Sequence, residues 1–172
     1  MLFRSGWTPS AGTTVTYQWQ RCTDSTCTSP SDIAMATSSS YLLTAADLGL
    51  FIRVSVTATQ EGYTSAVQPS ATTSLVALGQ LTNSTLPTVS GTSVVGQTLT
   101  TSDGVWSKMP DSYVYKWQWA STAGGTYTDI AGATSSSYVL TSDDQARYVR
   151  AAVTAILAGY ESRTAQSAPQ FV

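Results

Sequence analysis

Histidine is absent from this sequence, lysine occurs only twice, and charged residues make up 10% of the 172 positions. Histidine is the commonest general base in enzymes and a frequent zinc ligand, so its absence removes much of the usual catalytic and metal-site chemistry. Two lysines, scattered arginines and a net charge of −2 provide no basic surface for nucleic acid or anionic membranes. We therefore expect no catalytic site, no cofactor and no nucleic-acid partner.

Long apolar segments are also missing. The sequence has no run of about 18 apolar residues, which predicts that no helix inserts into a membrane. The first seven residues, Met1 to Trp7, lack the apolar stretch of a secretory signal peptide. A targeting segment was removed or lies upstream, or the protein leaves the cell by another route.

Cysteine is scarce, and Cys22 and Cys27 are the only two in the chain. A metal site needs about four ligands, and redox motifs use the shorter Cys-x-x-Cys spacing. An isolated pair in a secreted β-rich protein usually forms a structural disulfide. We expect a disulfide across the hairpin that follows the strand carrying Trp19.

Serine, threonine, valine and tyrosine are abundant, and an internal repeat organises them. Residues 33–67 match residues 130–164 at 18 of 35 positions, with an offset of 97. Upstream, Tyr17-Gln18-Trp19 returns as Tyr115-Lys116-Trp117, and Gly6-Trp7 returns as Gly104-Val105-Trp106. A solenoid unit spans only about 20–50 residues, so this longer period favours an all-β domain that folds by itself.

The repeat predicts the domain plan. Repeat 1 covers residues 1–78, residues 79–85 form a polar linker, and repeat 2 covers residues 86–172. The opening strand of repeat 2, at 86–91, has no counterpart in repeat 1, so we expect repeat 1 to lack its N-terminal strand. An open sheet edge of this kind can accept a strand from a neighbouring molecule.

Alternating side chains indicate which aromatics face the cores. Every odd residue from Tyr113 to Trp119 is aromatic, and Ile52, Val54 and Val56 alternate with polar neighbours. Trp119 aligns with Arg21 and leaves two interpretations: it stacks on a sugar or a partner protein, or it caps the core. The tryptophans that recur at matching positions are expected to be core anchors: Trp7, Trp19, Trp106 and Trp117.

Acidic residues near the middle of each repeat also allow two interpretations. Asp47, Asp143 and Asp144 could ligate calcium, but Ca²⁺ needs about 6–8 oxygens and the surrounding sequence is not densely acidic. The spacing Thr44-x-x-Asp47 and Thr141-x-x-Asp144 matches a local cap, in which the threonine hydroxyl bonds a backbone N–H of one helical turn. We expect the cap.

These motifs together resemble the tandem immunoglobulin-like repeats of large secreted and cell-wall-attached bacterial proteins, which are common in actinobacteria. The resemblance depends on the following segments: Leu86 to Gly91, Val95 to Leu99, Gly104-Val105-Trp106, Tyr115-Lys116-Trp117, the run from Ile130 to Tyr138, and Thr44 to Gly49. It implies two immunoglobulin-like β-sandwich domains. The cysteine pair that links the sheets of antibody domains is missing, and Asp144-Gln145-Ala146 departs from the Asp-Val-Gly turn of the pattern.

The resemblance identifies a scaffold, and a scaffold does not by itself carry a function. We expect a non-catalytic structural or spacer module of an extracellular or cell-surface assembly, with partners among copies of itself or neighbouring domains. One alternative is an adhesin or glycan-binding module that uses Trp119. The other is an accessory protein of a phage virion surface or tail.

Overall fold

The computed structural model describes residues 12–172, and the chain divides into two compact units, Met1–Leu78 and Gly79–Val172. The described part is nearly all β, which confirms the predicted fold class at that level. Trp7 and the expected missing first strand of repeat 1 fall outside the described residues.

The described residues of the first unit form a four-stranded antiparallel sheet in the order β2-β1-β3-β4. Its strands are β1 (Thr14–Cys22), β2 (Ser31–Asp32), β3 (Phe51–Thr59) and β4 (Ala66–Pro69). The alternation predicted for β3 is confirmed, because Ile52, Val54 and Val56 are buried against Trp19 and Ile33. A 3-10 turn, Ala45–Asp47, precedes β3.

The second unit contains two larger antiparallel sheets and two small ones. The strands are β5 (Gly79–Gln80), β6 (Asn83–Thr85), β7 (Val89–Ser90), β8 (Thr98–Thr101), β9 (Val105–Trp106), β10 (Ser112–Ala120), β11 (Thr128–Asp129), β12 (Ser137–Val139), β13 (Tyr148–Ile156), β14 (Tyr160–Glu161), β15 (Arg163–Gln166) and β16 (Gln170–Phe171), with a 3-10 turn at Ser142–Asp144. One sheet has the order β11-β10-β13-β15 with β16 also on β13, and the other has the order β12-β8-β7.

The core of the second unit lies between these two sheets. Leu99 from the three-stranded sheet packs with Trp117, Val149 and Ala151 from the larger sheet, and all four side chains are buried. Because both sheets contribute to one apolar core, the arrangement is consistent with a β-sandwich. A second cluster in this unit joins Leu81, Trp106, Ala155 and Ala165.

The segment expected to be a linker, 79–85, instead belongs to the second unit. Gly79–Gln80 pairs with Tyr160–Glu161, Asn83–Thr85 pairs with Val105–Trp106, and Leu81 is only 2% exposed. The burial of Leu81 stabilises the segment in this position. The sequence predicted a linker because the residues around Leu81 are polar. Val76 accepts a hydrogen bond from Gly49 within the first unit, at 2.9 Å. Two residues, 77 and 78, therefore lie between Val76, which is hydrogen-bonded in the first unit, and Gly79, which is hydrogen-bonded in the second.

Candidate functional site

The most elaborate side-chain arrangement of the second unit connects its core to a buried carboxylate. The indole N–H of Trp117 donates to the Ser135 carbonyl oxygen at 3.0 Å, and the indole ring stacks on Tyr138 with centroids 5.7 Å apart. The Tyr138 hydroxyl donates to Asp144 Oδ2 at 2.8 Å, and Asp144 is only 2% exposed. The strand that carries Trp117 and the 3-10 turn that carries Asp144 thus hold Tyr138 between them.

The first unit builds the same arrangement from the repeated residues. Trp19 donates to the Ser38 carbonyl oxygen at 2.8 Å and stacks on Tyr41, again with centroids 5.7 Å apart. The Tyr41 hydroxyl donates to Asp47 Oδ2 at 3.0 Å. Asp47 has no exposed surface. Both tryptophans expected to be core anchors therefore lie buried, at 4% exposure for Trp19 and 0% for Trp117.

Both buried aspartates cap the 3-10 turn on which they lie. The Thr44 backbone N–H donates to Asp47 Oδ2 at 2.7 Å, and the Thr141 N–H donates to Asp144 Oδ2 at 2.8 Å. In both units the threonine hydroxyl also donates to the carboxylate, at 3.0 Å. The expected cap is present in both units as a capping box, in which the threonine side chain pairs with the backbone of the aspartate and the carboxylate accepts from the threonine N–H. Among residues 12–172, no three His, Cys, Asp or Glu side chains form a group that could hold a metal ion.

Burial and these hydrogen bonds shift the pKa values of the network. Burial raises the pKa of Asp47, but hydrogen bonds from Thr44, Tyr41 and Arg21 outweigh it, so the pKa is lowered overall. Burial, followed by the hydrogen bond to Asp144, raises the pKa of Tyr138 to about 12. Burial and Asp47 likewise raise the pKa of Tyr41. Tyrosines of this kind stay protonated at neutral pH, so they suit a structural hydrogen bond better than proton transfer.

The two units differ at the position that Arg21 and Trp119 share. Arg21 Nε forms an ion pair with Asp47 Oδ1 at 2.8 Å. Trp119 instead is half-buried, packs against the core of the second unit, and carries the Arg147 guanidinium 3.8 Å above its ring centroid. One face of the indole is therefore already covered by a cation.

The Cys22–Cys27 disulfide is present, as predicted, with the two Cα atoms 4.9 Å apart. Its loop is organised by Asp24, whose carboxylate accepts from the Thr26 N–H at 2.9 Å and the Thr28 hydroxyl at 2.8 Å. Hydrogen bonds from Thr26 and Thr28 lower the pKa of Asp24 to about 2. A disulfide indicates an oxidising environment, since cytosolic thiols are usually kept reduced.

Two features of the second unit were not anticipated from the sequence. Residues Gly79–Leu81 dock beside Tyr160, and the only sequence signal is an apolar Leu81 in a polar stretch. An open cavity of about 340 Å³ lies over residues 131–139. Its described lining consists of small and hydroxyl side chains, and its one ionisable group, Tyr138, is already bonded to Asp144. Neither feature brings together a nucleophile and a base.

No helix among residues 12–172 is long and apolar enough to cross a membrane. Comparison with known proteins finds no match for this chain among family models, curated proteins or solved structures.

Proposed function

We propose that the chain is a pair of tandem immunoglobulin-like β-sandwich repeats that serves as a non-catalytic structural or spacer module outside the cell. The observation that carries the proposal is the closed network repeated in both units. In each unit a buried tryptophan stacks on a half-buried tyrosine, and the tyrosine hydroxyl donates to a buried aspartate (Trp19, Tyr41 and Asp47; Trp117, Tyr138 and Asp144). Polar groups that satisfy each other inside a core stabilise a scaffold and leave nothing to act on a substrate.

The connection between the units supports a spacer role. Val76 is hydrogen-bonded within the first unit and Gly79 within the second, so two residues join them. Flexible linkers that let domains search independently are usually longer and richer in glycine and serine. A short connection between two self-contained repeats suits a module that holds other parts of an assembly apart.

Extracellular placement is supported by the disulfide in the first unit. Cys22 and Cys27 are 1% and 5% exposed, so the bond lies within the fold. Structural disulfides of this kind persist in secreted and surface proteins. Protein isolated from its native compartment without reductant should contain no free thiol, and two free thiols would contradict this placement.

Binding to a glycan array distinguishes the spacer function from the adhesin function. The half-buried Trp119 ring with Arg147 on one face leaves little planar surface for a sugar. We expect no glycan binding by the intact chain or by a Trp119→Ala variant whose unfolding temperature has been checked. Binding by the intact chain that disappears in the folded variant would overturn the spacer proposal in favour of the adhesin.

A further inference from the structure

The same turn follows the nine-residue strand β3 in the first unit and the nine-residue strand β13 in the second. The Tyr63 N–H donates to the Gln60 carbonyl at 3.1 Å, and the Tyr160 N–H donates to the Leu157 carbonyl at 3.0 Å. The preceding glycines, Gly62 and Gly159, have φ angles of 80° and 81°. The repeat has therefore preserved the backbone that presents a tyrosine at this turn.

In the second unit this turn is occupied by the segment that leads into it. The Gly79 N–H donates to the Gly159 carbonyl at 2.9 Å, and Gly79–Gln80 runs parallel to Tyr160–Glu161. A Cβ added to Gly79 would lie 2.5 Å from Tyr160 Cε1, so only glycine brings the backbone this close to the ring. Two residues later, Leu81 is buried beside Tyr160 and Trp106. The occupant thus has a simple chemical description: glycine, any residue, then an apolar residue.

In the first unit the tyrosine of this turn is exposed. Tyr63 is 74% exposed, and Val67 on the adjacent strand is 59% exposed. The contact that Arg163 makes with Gln80 Oε1 in the second unit, at 2.6 Å, has no equivalent because Ala66 stands at that position. The first unit keeps the backbone of the turn and the tyrosine ring, and these are the two features that hold Gly79 in the second unit.

We infer that the Tyr63 turn is a docking site for a parallel Gly-x-apolar strand from another repeat of this kind. The occupied turn in the second unit supplies both the geometry and the identity of the ligand. The inference rests on the proposal that the units are repeats of one module, and it adds how such a module receives the chain leading into it. In the second unit this recognition uses one main-chain hydrogen bond, a glycine against an aromatic face and one apolar anchor.

The test supplies a copy of the docking segment in cis. A copy of residues 77–97 is fused ahead of Met1, because Leu2 aligns with Leu99 and this places the copied glycine where the second unit has Gly79. Its matched control carries valine at the copied glycine, so both chains gain the same strand and differ only at the contact with the tyrosine. The readout is the nitration rate of Tyr63 by tetranitromethane, with Tyr160 as an internal reference in the same peptide map.

Tyr63 should be nitrated about tenfold more slowly in the extended chain than in the unextended chain, because a fused segment that covers the ring with a ten-to-one preference protects it by that factor. In the valine control, Tyr63 should be nitrated at the same rate as in the unextended chain. Equal Tyr63 rates in the extended and unextended chains would overturn the inference, as would equal protection in the valine control. If soluble glycans added to the unextended chain slow the nitration of Tyr63, that result would also overturn the inference, in favour of a sugar site.

A second variant examines the precedent in the second unit. Gly79→Val in the unextended chain should speed nitration of Tyr160 and leave Tyr63 unchanged. Unchanged Tyr160 protection would remove the basis of the inference. Neither result depends on where the protein is located or whether it binds glycans, so failure of the docking site is distinguishable from failure of the proposed function.

Discussion

The two units share the tryptophan–tyrosine–aspartate arrangement, but the groups that surround the buried carboxylate differ. Asp47 in the first unit forms an ion pair with Arg21, whereas the second unit places Trp119 at the same position and Arg147 above that ring. Asp144 forms no ion pair within residues 12–172 and relies on the hydrogen bonds from Tyr138 and Thr141. The comparison teaches that the tyrosine and the cap are sufficient to bury this carboxylate, and that the arginine is an addition of one repeat.

The hairpin that follows the tryptophan strand shows a second difference. The first unit closes it with the Cys22–Cys27 disulfide, and Cys27 has a φ of 54°. The second unit uses glycine: a Cβ at Gly125 would lie 2.7 Å from the Thr122 hydroxyl oxygen, and the Gly125 N–H donates to the Thr122 carbonyl. A covalent closure and a tight glycine turn thus replace each other at one place in the repeat.

The largest expected effect comes from the shared tryptophans. Trp117→Ala should lower the free energy of unfolding of the second unit by about 3–5 kcal/mol, and Trp19→Ala should do the same to the first unit, because each removes a buried aromatic from a small core. Urea unfolding followed by hydrogen exchange should locate each loss in one unit. A Trp117→Ala protein that unfolds like the parent would contradict the core role of this residue.

The disulfide should contribute next. Replacing Cys22 and Cys27 together with alanine should destabilise the first unit by about 2 kcal/mol, since a short loop gains little from closure. The second unit, which has glycine at this bend, provides the internal control. The same chemical unfolding measurement applies, and an equal loss in both units would show that the effect is not local.

The ion pair of Arg21 should have a smaller effect that depends on pH. Arg21→Gln should cost the first unit about 1.5 kcal/mol at neutral pH, because a hydrogen bond to a charged group is lost. The pKa of Asp47 is lowered in the folded state, so its stabilisation is present above the unfolded carboxyl value near 3.9 and is lost as pH falls through the folded pKa.

The acid branch of the stability curve measures this difference. In Arg21→Gln the folded pKa of Asp47 moves towards its unfolded value, so the first unit should lose less stability on acidification than the parent does. Arg147→Gln, which removes the cation over Trp119, is the matched control and should leave the acid response of the first unit unchanged. An unaltered acid branch in Arg21→Gln would contradict the assigned partner of Asp47.

The smallest effect concerns alkaline pH. The pKa of Tyr138 is raised to about 12, so the stability it contributes is complete below the ordinary tyrosine pKa near 10 and is lost as pH rises through 12. Tyr138→Phe should cost about 1 kcal/mol at pH 7 through the lost hydrogen bond to Asp144. It should also reduce the alkaline loss. An identical alkaline decline in the parent and in Tyr138→Phe would contradict this role of Tyr138.

The repeated alternation of aromatic residues made the strands predictable. The odd-numbered aromatics around Trp117 and the series Ile52, Val54 and Val56 carry a period of two, which is the signature of a half-buried strand. The Cys22–Cys27 pairing was equally accessible, because the chain holds no other cysteine.

What escaped prediction depends on contacts between distant residues. Arg21 lies 26 residues from Asp47, and Gly79 reaches a turn at Tyr160 through a strand of two residues. Strands that short carry no periodicity, and a polar stretch with few aromatics is typical of a linker. Leu81 was the one residue whose side chain signalled burial there.

Single-molecule stretching of the intact chain under non-reducing conditions tests the central claim most directly. If the chain is a spacer made of two self-contained repeats, it should unfold in two separate force events. At about 3.5 Å per released residue, the contour released is at most roughly 270 Å for residues 1–78 and roughly 330 Å for residues 79–172. Trp117→Ala should weaken or abolish one event and leave the other intact. A single event for the whole chain, or the loss of both events in Trp117→Ala, would contradict the account.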